Sequence, residues 1–424
     1  MKKTNFFLLF GLLFQGFIMA QSPTTFYGYQ VIDPWVSSAP SQNINNSYFG
    51  YRVARGFAPI GDDNSAFGYL SSYQLKLAYR NSSFGSQAGY GNQLGNDNAS
   101  FGAFSGYLNQ SGSSNVNIGS YAGYSGFDKG FNVLIGANCG KNNNTSGSTF
   151  IGFNSGFSNT TGANNVFMGY HSGYSNTIGS ANVFLGYLSG YSNTGASGNN
   201  IFIGQQSGYF NTTGSSNVYI GHGAGLNSSA GTGNTYLGFQ SGMSAIGTGN
   251  VFIGFNSGRT ETGSNKLYIT NNDNTGSTVP LIYGDFSTRK IAIGLPNTFA
   301  ATDRLPVTVT SGGSTTNVSN YKLFVKEGIL TEAVLISPFS GWADYVFEQD
   351  YQLKPLKEVE KYIKDKGHLP NVPSAKEIEK TGIELKTTAI LQQEKIEELT
   401  LYLIQQDKDI QFLKEQVNLL MNKK

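Results

Sequence analysis

Asn182-Val183-Phe184-Leu185-Gly186 and Asn250-Val251-Phe252-Ile253-Gly254 are two copies of one short word. The word recurs from about Ser47 to Gly263 and closes on Gly50, Gly68, Gly85, Gly102, Gly119, Gly136, Gly152, Gly169, Gly186, Gly204, Gly221, Gly238 and Gly254. Successive closing glycines lie 18, 17, 17, 17, 17, 16, 17, 17, 18, 17, 17 and 16 residues apart. A period this tight makes each copy one structural unit stacked on the last. Four residues after most of these glycines comes a second one behind a small residue, as in Ala88-Gly89, Ser155-Gly156, Ser189-Gly190 and Ser257-Gly258. Paired glycines with small neighbours are the chemistry of turns and close approach.

Helical repeats are excluded, because Gly, Asn, Ser and Thr fill every gap between short apolar runs. Val, Ile, Phe and Tyr in runs of three before the glycine favour strand. Residues one and three of each run share a face, and the middle one points the other way. The expected inward column is Phe101, Ile118, Ile135, Ile151, Met168, Leu185, Ile203, Ile220, Leu237 and Ile253. The expected opposite column is aromatic: Phe150, Phe167, Phe184, Phe202, Tyr219, Tyr236 and Phe252. Both faces are apolar, so something must cover the second. The fold class is therefore mainly β: a parallel β-roll or β-solenoid of about 13 rungs, followed by a small α/β region and a C-terminal coiled-coil helix. Rungs about 4.8 Å apart give a tower of roughly 60 Å. The asparagine before each strand (Asn115, Asn132, Asn182, Asn217, Asn234, Asn250) recurs in register, as a stacked amide ladder or a left-handed turn position. Between Asn81 and Gly258 the only Asp, Glu, Lys or Arg residues are Asp97, Asp128, Lys129 and Lys141; like charges stacked at rung spacing would repel.

The rest of the chain divides by composition. Residues 1–20 read as a signal peptide: Lys2 and Lys3, an apolar run from Phe6 to Ile18, and Ala20 before a cut at Gln21. That run is short for a membrane span, and no later segment supplies one, so the chain is expected to be exported, either secreted or held at the cell surface. Residues 21–46 form a polar lead-in with Pro23, Pro34, Pro40 and Trp35. The repeats occupy 47–263, capping strands 264–300, and a connector with neck strands 301–340. In the neck, Leu323-Phe324-Val325 and Ala333-Val334-Leu335-Ile336 alternate like strands. From Tyr321 to Lys424 the chain holds 15 Lys and 17 Asp or Glu, 32 of the 54 charged residues, which marks a boundary.

From Pro355 the period becomes helical, over a region spanning 341–384. Leu356, Val359 and Ile363 share a face, Gly367 ends the segment, and Ser374 with Glu377 has the form of a capping box. Residues 385–424 carry heptads, with Ala389, Ile396, Leu403, Ile410 and Val417 at a and Gln392, Leu399, Gln406, Leu413 and Leu420 at d. This narrow stripe favours self-association over packing on its own domain. The trimerisation residues expected are Ile396, Leu399, Leu403, Gln406, Ile410, Leu413, Val417 and Leu420.

Catalytic constellations are scarce. His171 and His222 lie in different repeats, His368 lies in a Pro-rich turn, and none pairs with a second ligand at metal spacing. The Gly-rich repeats lack the lysine of a phosphate loop. Cys139 occupies the small-residue slot before a repeat glycine, as a buried stand-in for Ser. No catalytic, cofactor or metal site is expected, and the basic stripe of a nucleic-acid binder is missing. The one candidate ligand surface is a tyrosine column after the second glycine, Tyr107, Tyr124, Tyr174, Tyr191 and Tyr209, which either meets sugars or covers the neighbouring rung or chain.

The Asn-Val-Phe-Ile-Gly repeats resemble the head repeats of trimeric autotransporter adhesins, which are parallel β-rolls of three chains. The segment Trp342-Ala343-Asp344-Tyr345-Val346-Phe347, with Leu353-Lys354-Pro355-Leu356, Gly367-His368-Leu369-Pro370 and the final heptads, resembles the C-terminal region of bacterial tail-fibre-like surface proteins. That region is related to the intramolecular chaperone (peptidase S74-like) domain of phage tail spikes. The self-cleaving chaperones use a Ser-Asp pair; here Ser340 is followed by Gly341. The resemblances imply an exported structural or adhesive homotrimer without an enzyme site, whose partners are its own copies and a host, matrix or surface polysaccharide. A self-processing chaperone-peptidase and a carbohydrate-binding tower are the alternatives.

Overall fold

A computed structural model describes residues 25–27, 45–55, 60–195, 198–271, 280–294, 305–311, 314–326, 328–336 and 341–422. The expected signal peptide, Trp35 and Ser340 lie outside those residues. The chain divides at Thr298–Phe299 into two compact units.

The first unit is a β-solenoid with a period near 17 residues. Each turn carries one three-residue strand, from Ser47–Phe49 through Val251–Ile253, thirteen in all. Neighbouring strands pair parallel and in register: Val183 faces Ile201, Phe184 faces Phe202 and Leu185 faces Ile203. The turns bond from rung to rung as well, as where Gly173 N donates to Ser189 O at 3.0 Å.

The two columns are exchanged relative to the sequence expectation. The middle residue of each strand points inward: Phe150, Phe167, Phe184, Phe202, Tyr219, Tyr236 and Phe252 are fully buried. Their rings stack along the tower, Phe150 on Phe167 at 4.8 Å and Tyr219 on Tyr236 at 4.6 Å between centroids. The aliphatic third residues face outward; Ile118 is 40% exposed and Leu237 46%. The side of the strand that carries the middle residue therefore holds a ring in each of these rungs. The second glycine makes room for it. Gly173 sits at φ +60°, and a Cβ there would lie 2.5 Å from Cδ2 of Phe167. The closing glycine serves the rung contact instead: at Gly169, φ +141°, a Cβ would lie 2.3 Å from the carbonyl oxygen of Gly186.

The asparagines before the strands form the amide ladder. Asn217 N donates to Asn200 Oδ1 at 3.0 Å, and Asn234 N to Asn217 Oδ1 at 2.9 Å. The left-handed turn position falls one residue earlier, at Asp97, Phe131, Ala181 and Asn199. The serine before the second glycine joins rungs too: Ser172 Oγ donates to Phe184 O at 2.9 Å. These ladder and serine groups are thus satisfied by the next copy of the same residue pattern.

Parallel pairing runs past both expected boundaries. Thr25–Tyr27, in the lead-in, pairs with Ser47–Phe49, and Lys266–Ile269 pairs with Val251–Ile253. The direction then reverses in an antiparallel meander, Ile282–Asp285 and Lys290–Ile293. Charge returns with it: Lys266 Nζ meets Asp285 Oδ2 at 2.6 Å, and Tyr268 OH donates to Glu261.

In the second unit, Thr308–Ser311 and Ser314–Asn317 form a hairpin within the expected connector. Leu323–Val325 is a strand, whereas residues 333–336 are not, and Leu335 is fully exposed. Three helices follow: α1 (Leu356–Lys366), α2 (Ala375–Thr381) and α3 (Leu385–Met421). Helix α1 ends on Gly367 at φ 78°, and Ser374 with Glu377 closes a full capping box on α2.

Candidate functional site

Helix α3 is continuous over 37 residues, so its heptad positions form an unbroken stripe. Ile396, Leu399, Leu403, Gln406, Ile410, Leu413, Val417 and Leu420 are all exposed, Leu399 to 57% and Leu420 to 68%. The first half of α3 packs on the short helical turn Ala343–Phe347, in which Ala343 and Val346 are buried.

That docking uses the polar side of α3. Tyr345 OH donates to Glu394 Oε2, and Asn371 Nδ2 donates to Glu394 Oε1 at 3.2 Å. Tyr351 OH donates to Glu398 Oε1 at 2.5 Å, and Tyr402 OH to the carbonyl oxygen of Lys354 at 2.5 Å. Lys395 Nζ lies 2.7 Å from both Glu394 and Glu398. Burial pushes the Glu394 carboxyl upward, but bonds from Lys395, Tyr345 and Asn371 together hold it below the usual glutamate value. Burial, reinforced by the Glu398 carboxylate, raises the Tyr351 phenol well above its ordinary range. Packing on its own unit and an open apolar stripe therefore coexist, on different sides of one helix. A groove of about 550 Å³, walled by Leu356, Val359, Leu369, Ile396 and Leu399, continues the stripe toward α1.

The tower carries a second open apolar strip. First and third strand residues, Val116 with Ile118, Val166 with Met168 and Val251 with Ile253, repeat on one outer face. Toward the N-terminal end the strip becomes a stack of Phe49, Phe67, Phe84 and Phe101, with Phe67 and Phe84 at 4.6 Å.

The tyrosine column is half-buried and falls into two stacks. Tyr73, Tyr90, Tyr107 and Tyr124 form one, and Phe157, Tyr174, Tyr191 and Tyr209 the other. Centroids are 4.9–5.2 Å apart, so each ring face covers the next and outsiders meet edges and hydroxyls. Burial, then neighbouring phenols, raise the pKa of Tyr107 and Tyr191. Lys141 stands between the stacks, its Nζ 4.9 Å from the centre of the Tyr121 ring.

His171 and His222 belong to these aromatic surfaces: His171 lies against Tyr170 and Tyr174, and His222 stacks on Phe239. Among the described residues no cluster of three His, Cys, Asp or Glu is placed to hold a metal ion. No helix among them is long and apolar enough to cross a membrane. Comparison with family models, curated proteins and solved structures finds no match for this chain.

Proposed function

We propose that this chain is an exported, fibrous surface protein, structural or adhesive, that works as a homotrimer. The observation carrying the proposal is the open heptad stripe of α3, left free because the helix docks on its own unit through Glu394, Glu398 and Tyr402. Leu at d with Ile, Leu and Val at a is by itself nearer a two-stranded preference. Gln392 and Gln406 place amides in that seam, where several copies hydrogen-bond and fix register. The outer strip of the tower adds an independent argument, since among its described residues the inner column is buried and the outer one is not. Three towers facing one axis bury the strip in a closed point group. In this reading the C-terminal unit aligns the chains, and a coiled coil of α3 sets the register in which the towers pack.

The ring stacking supports a structural use of the tyrosines over a sugar platform, because stacked faces are not free for pyranose rings. The self-processing alternative is disfavoured by Gly341 following Ser340 where the cleaving chaperones have Asp. Replacing Leu399 and Leu413 by Asp tests the proposal: assembly is lost, and the uncovered towers become prone to aggregate.

A further inference from the structure

Seven residues after the closing glycine, most rungs carry a second buried asparagine, such as Asn92, Asn109, Asn143, Asn159 and Asn176. Each clamps its own turn: Asn109 Nδ2 donates to Gly112 O at 2.8 Å, and Gly112 N donates to Asn109 Oδ1 at 2.9 Å. From Asn143 onward successive amides also bond one another. Asn159 Nδ2 donates to Asn143 Oδ1 at 2.6 Å, and Asn176 Nδ2 to Asn159 Oδ1 at 2.8 Å. Between Asn109 and Asn143 the corresponding position is Gly126, so the column of asparagines is interrupted there, just before the bonded series begins.

A cavity of about 10 Å³, lined among others by Asn109, Asn117, Gly123, Gly126, Leu134 and Asn143, lies at the break. It exists for two reasons. Gly126 supplies no side chain, and Asn117 and Leu134 occupy inner-column places that later rungs fill with phenyl rings. That volume is at the lower end of what admits a single water molecule. Asn117 is 3% exposed, and no group of the described residues hydrogen-bonds its side-chain amide. A buried amide left unpaired is costly, and the cavity it borders is polar.

We infer that this cavity is a binding site for a single structural water, which takes the place of the missing ladder amide. Water supplies both donor and acceptor, as an asparagine side chain does. It bonds the Asn117 amide and links the ladder residues on either side. The site is confined to this rung because, among the described residues, only here do a ladder glycine and an unpartnered inner amide meet.

The test is crystallography of the exported chain at a resolution that shows ordered water, with two variants. Gly126 needs no left-handed backbone, and a Cβ there would meet Asn143 O at 3.4 Å and Gly123 O at 3.7 Å, ordinary contact distances. Gly126→Asn is therefore expected to fold, place its amide in the cavity, expel the water and raise the melting temperature. Asn117→Leu is expected to keep the fold and lose the water peak. The native chain should show one peak within hydrogen-bond distance of Asn117. An ordered native cavity without density overturns the inference whatever the variants do. So does a peak that persists unchanged in Asn117→Leu, or in Gly126→Asn with the new amide turned to solvent.

Discussion

Cys139 Sγ donates to the carbonyl oxygen of Phe150 at 3.1 Å, the bond that Ser155 makes to Phe167 one rung later. The thiol is buried, and burial pushes its pKa up to about 12. Cys139→Ser should then leave the melting temperature nearly unchanged, since the hydroxyl makes the same bond in the same slot. The native thiol should resist alkylation at pH 8 and react fully once unfolded. Rapid labelling of the folded chain, or a large loss of stability in the serine variant, would contradict this placement.

The ring column and the second glycine act as a pair. A Cβ on Gly190 would lie 2.5 Å from Cδ2 of Phe184, at φ +59°. Phe184→Ala should cost about 3–5 kcal/mol, as for other buried rings, and Gly190→Ala about 1–3 kcal/mol from overpacking and backbone strain. The two costs should not add in urea titrations of the double variant: without the ring, Gly190→Ala loses its clash and retains only the backbone cost.

Nearest-neighbour stacking sets what the tower tolerates. Deleting Tyr187 through Gly204 removes one whole turn and joins strands that pair in the same register. A folded, shorter protein is expected. Removing half of that span should shift every downstream column and unfold the chain. Equal damage from the two deletions in circular dichroism melts would count against one turn per repeat.

Acid should unfold the C-terminal helices before the tower. The folded-state pKa of Glu394 lies below its ordinary value, so the stability it contributes is present above the unfolded pKa of about 4.3. That stability is lost as pH falls through the lower, folded value. Tyr345, Asn371 and Lys395 lose a charged partner there. Helical signal at 222 nm should therefore fade below about pH 4 before the tower signal does, because the tower is nearly free of carboxylates. Simultaneous loss of both signals would contradict the prediction.

Period, strand positions and turn glycines were legible because each depends on local chemistry repeated in register. Which face turns inward was not. Val183-Phe184-Leu185 is apolar on both sides, and alternation alone is symmetric; the decision comes from Gly190, whose missing side chain opens room for the Phe184 ring. The capping box at Ser374 and the stop at Gly367 were equally readable, being set by residues within one turn. The docking side of α3 was hidden, since Tyr345 and Glu394 are 49 residues apart. The tyrosine column was located from spacing, but Lys141 dividing it and the consumption of its ring faces required the rung geometry.

In the proposed trimer, the open stripe of α3 and the outer strip of the tower are covered by two further copies of the chain. Light scattering on the chromatographed protein gives its molar mass directly. The result predicted is a single species at three times the chain mass, lost on changing Leu399 and Leu413 to Asp. A monodisperse, folded monomer with both residues intact would contradict it.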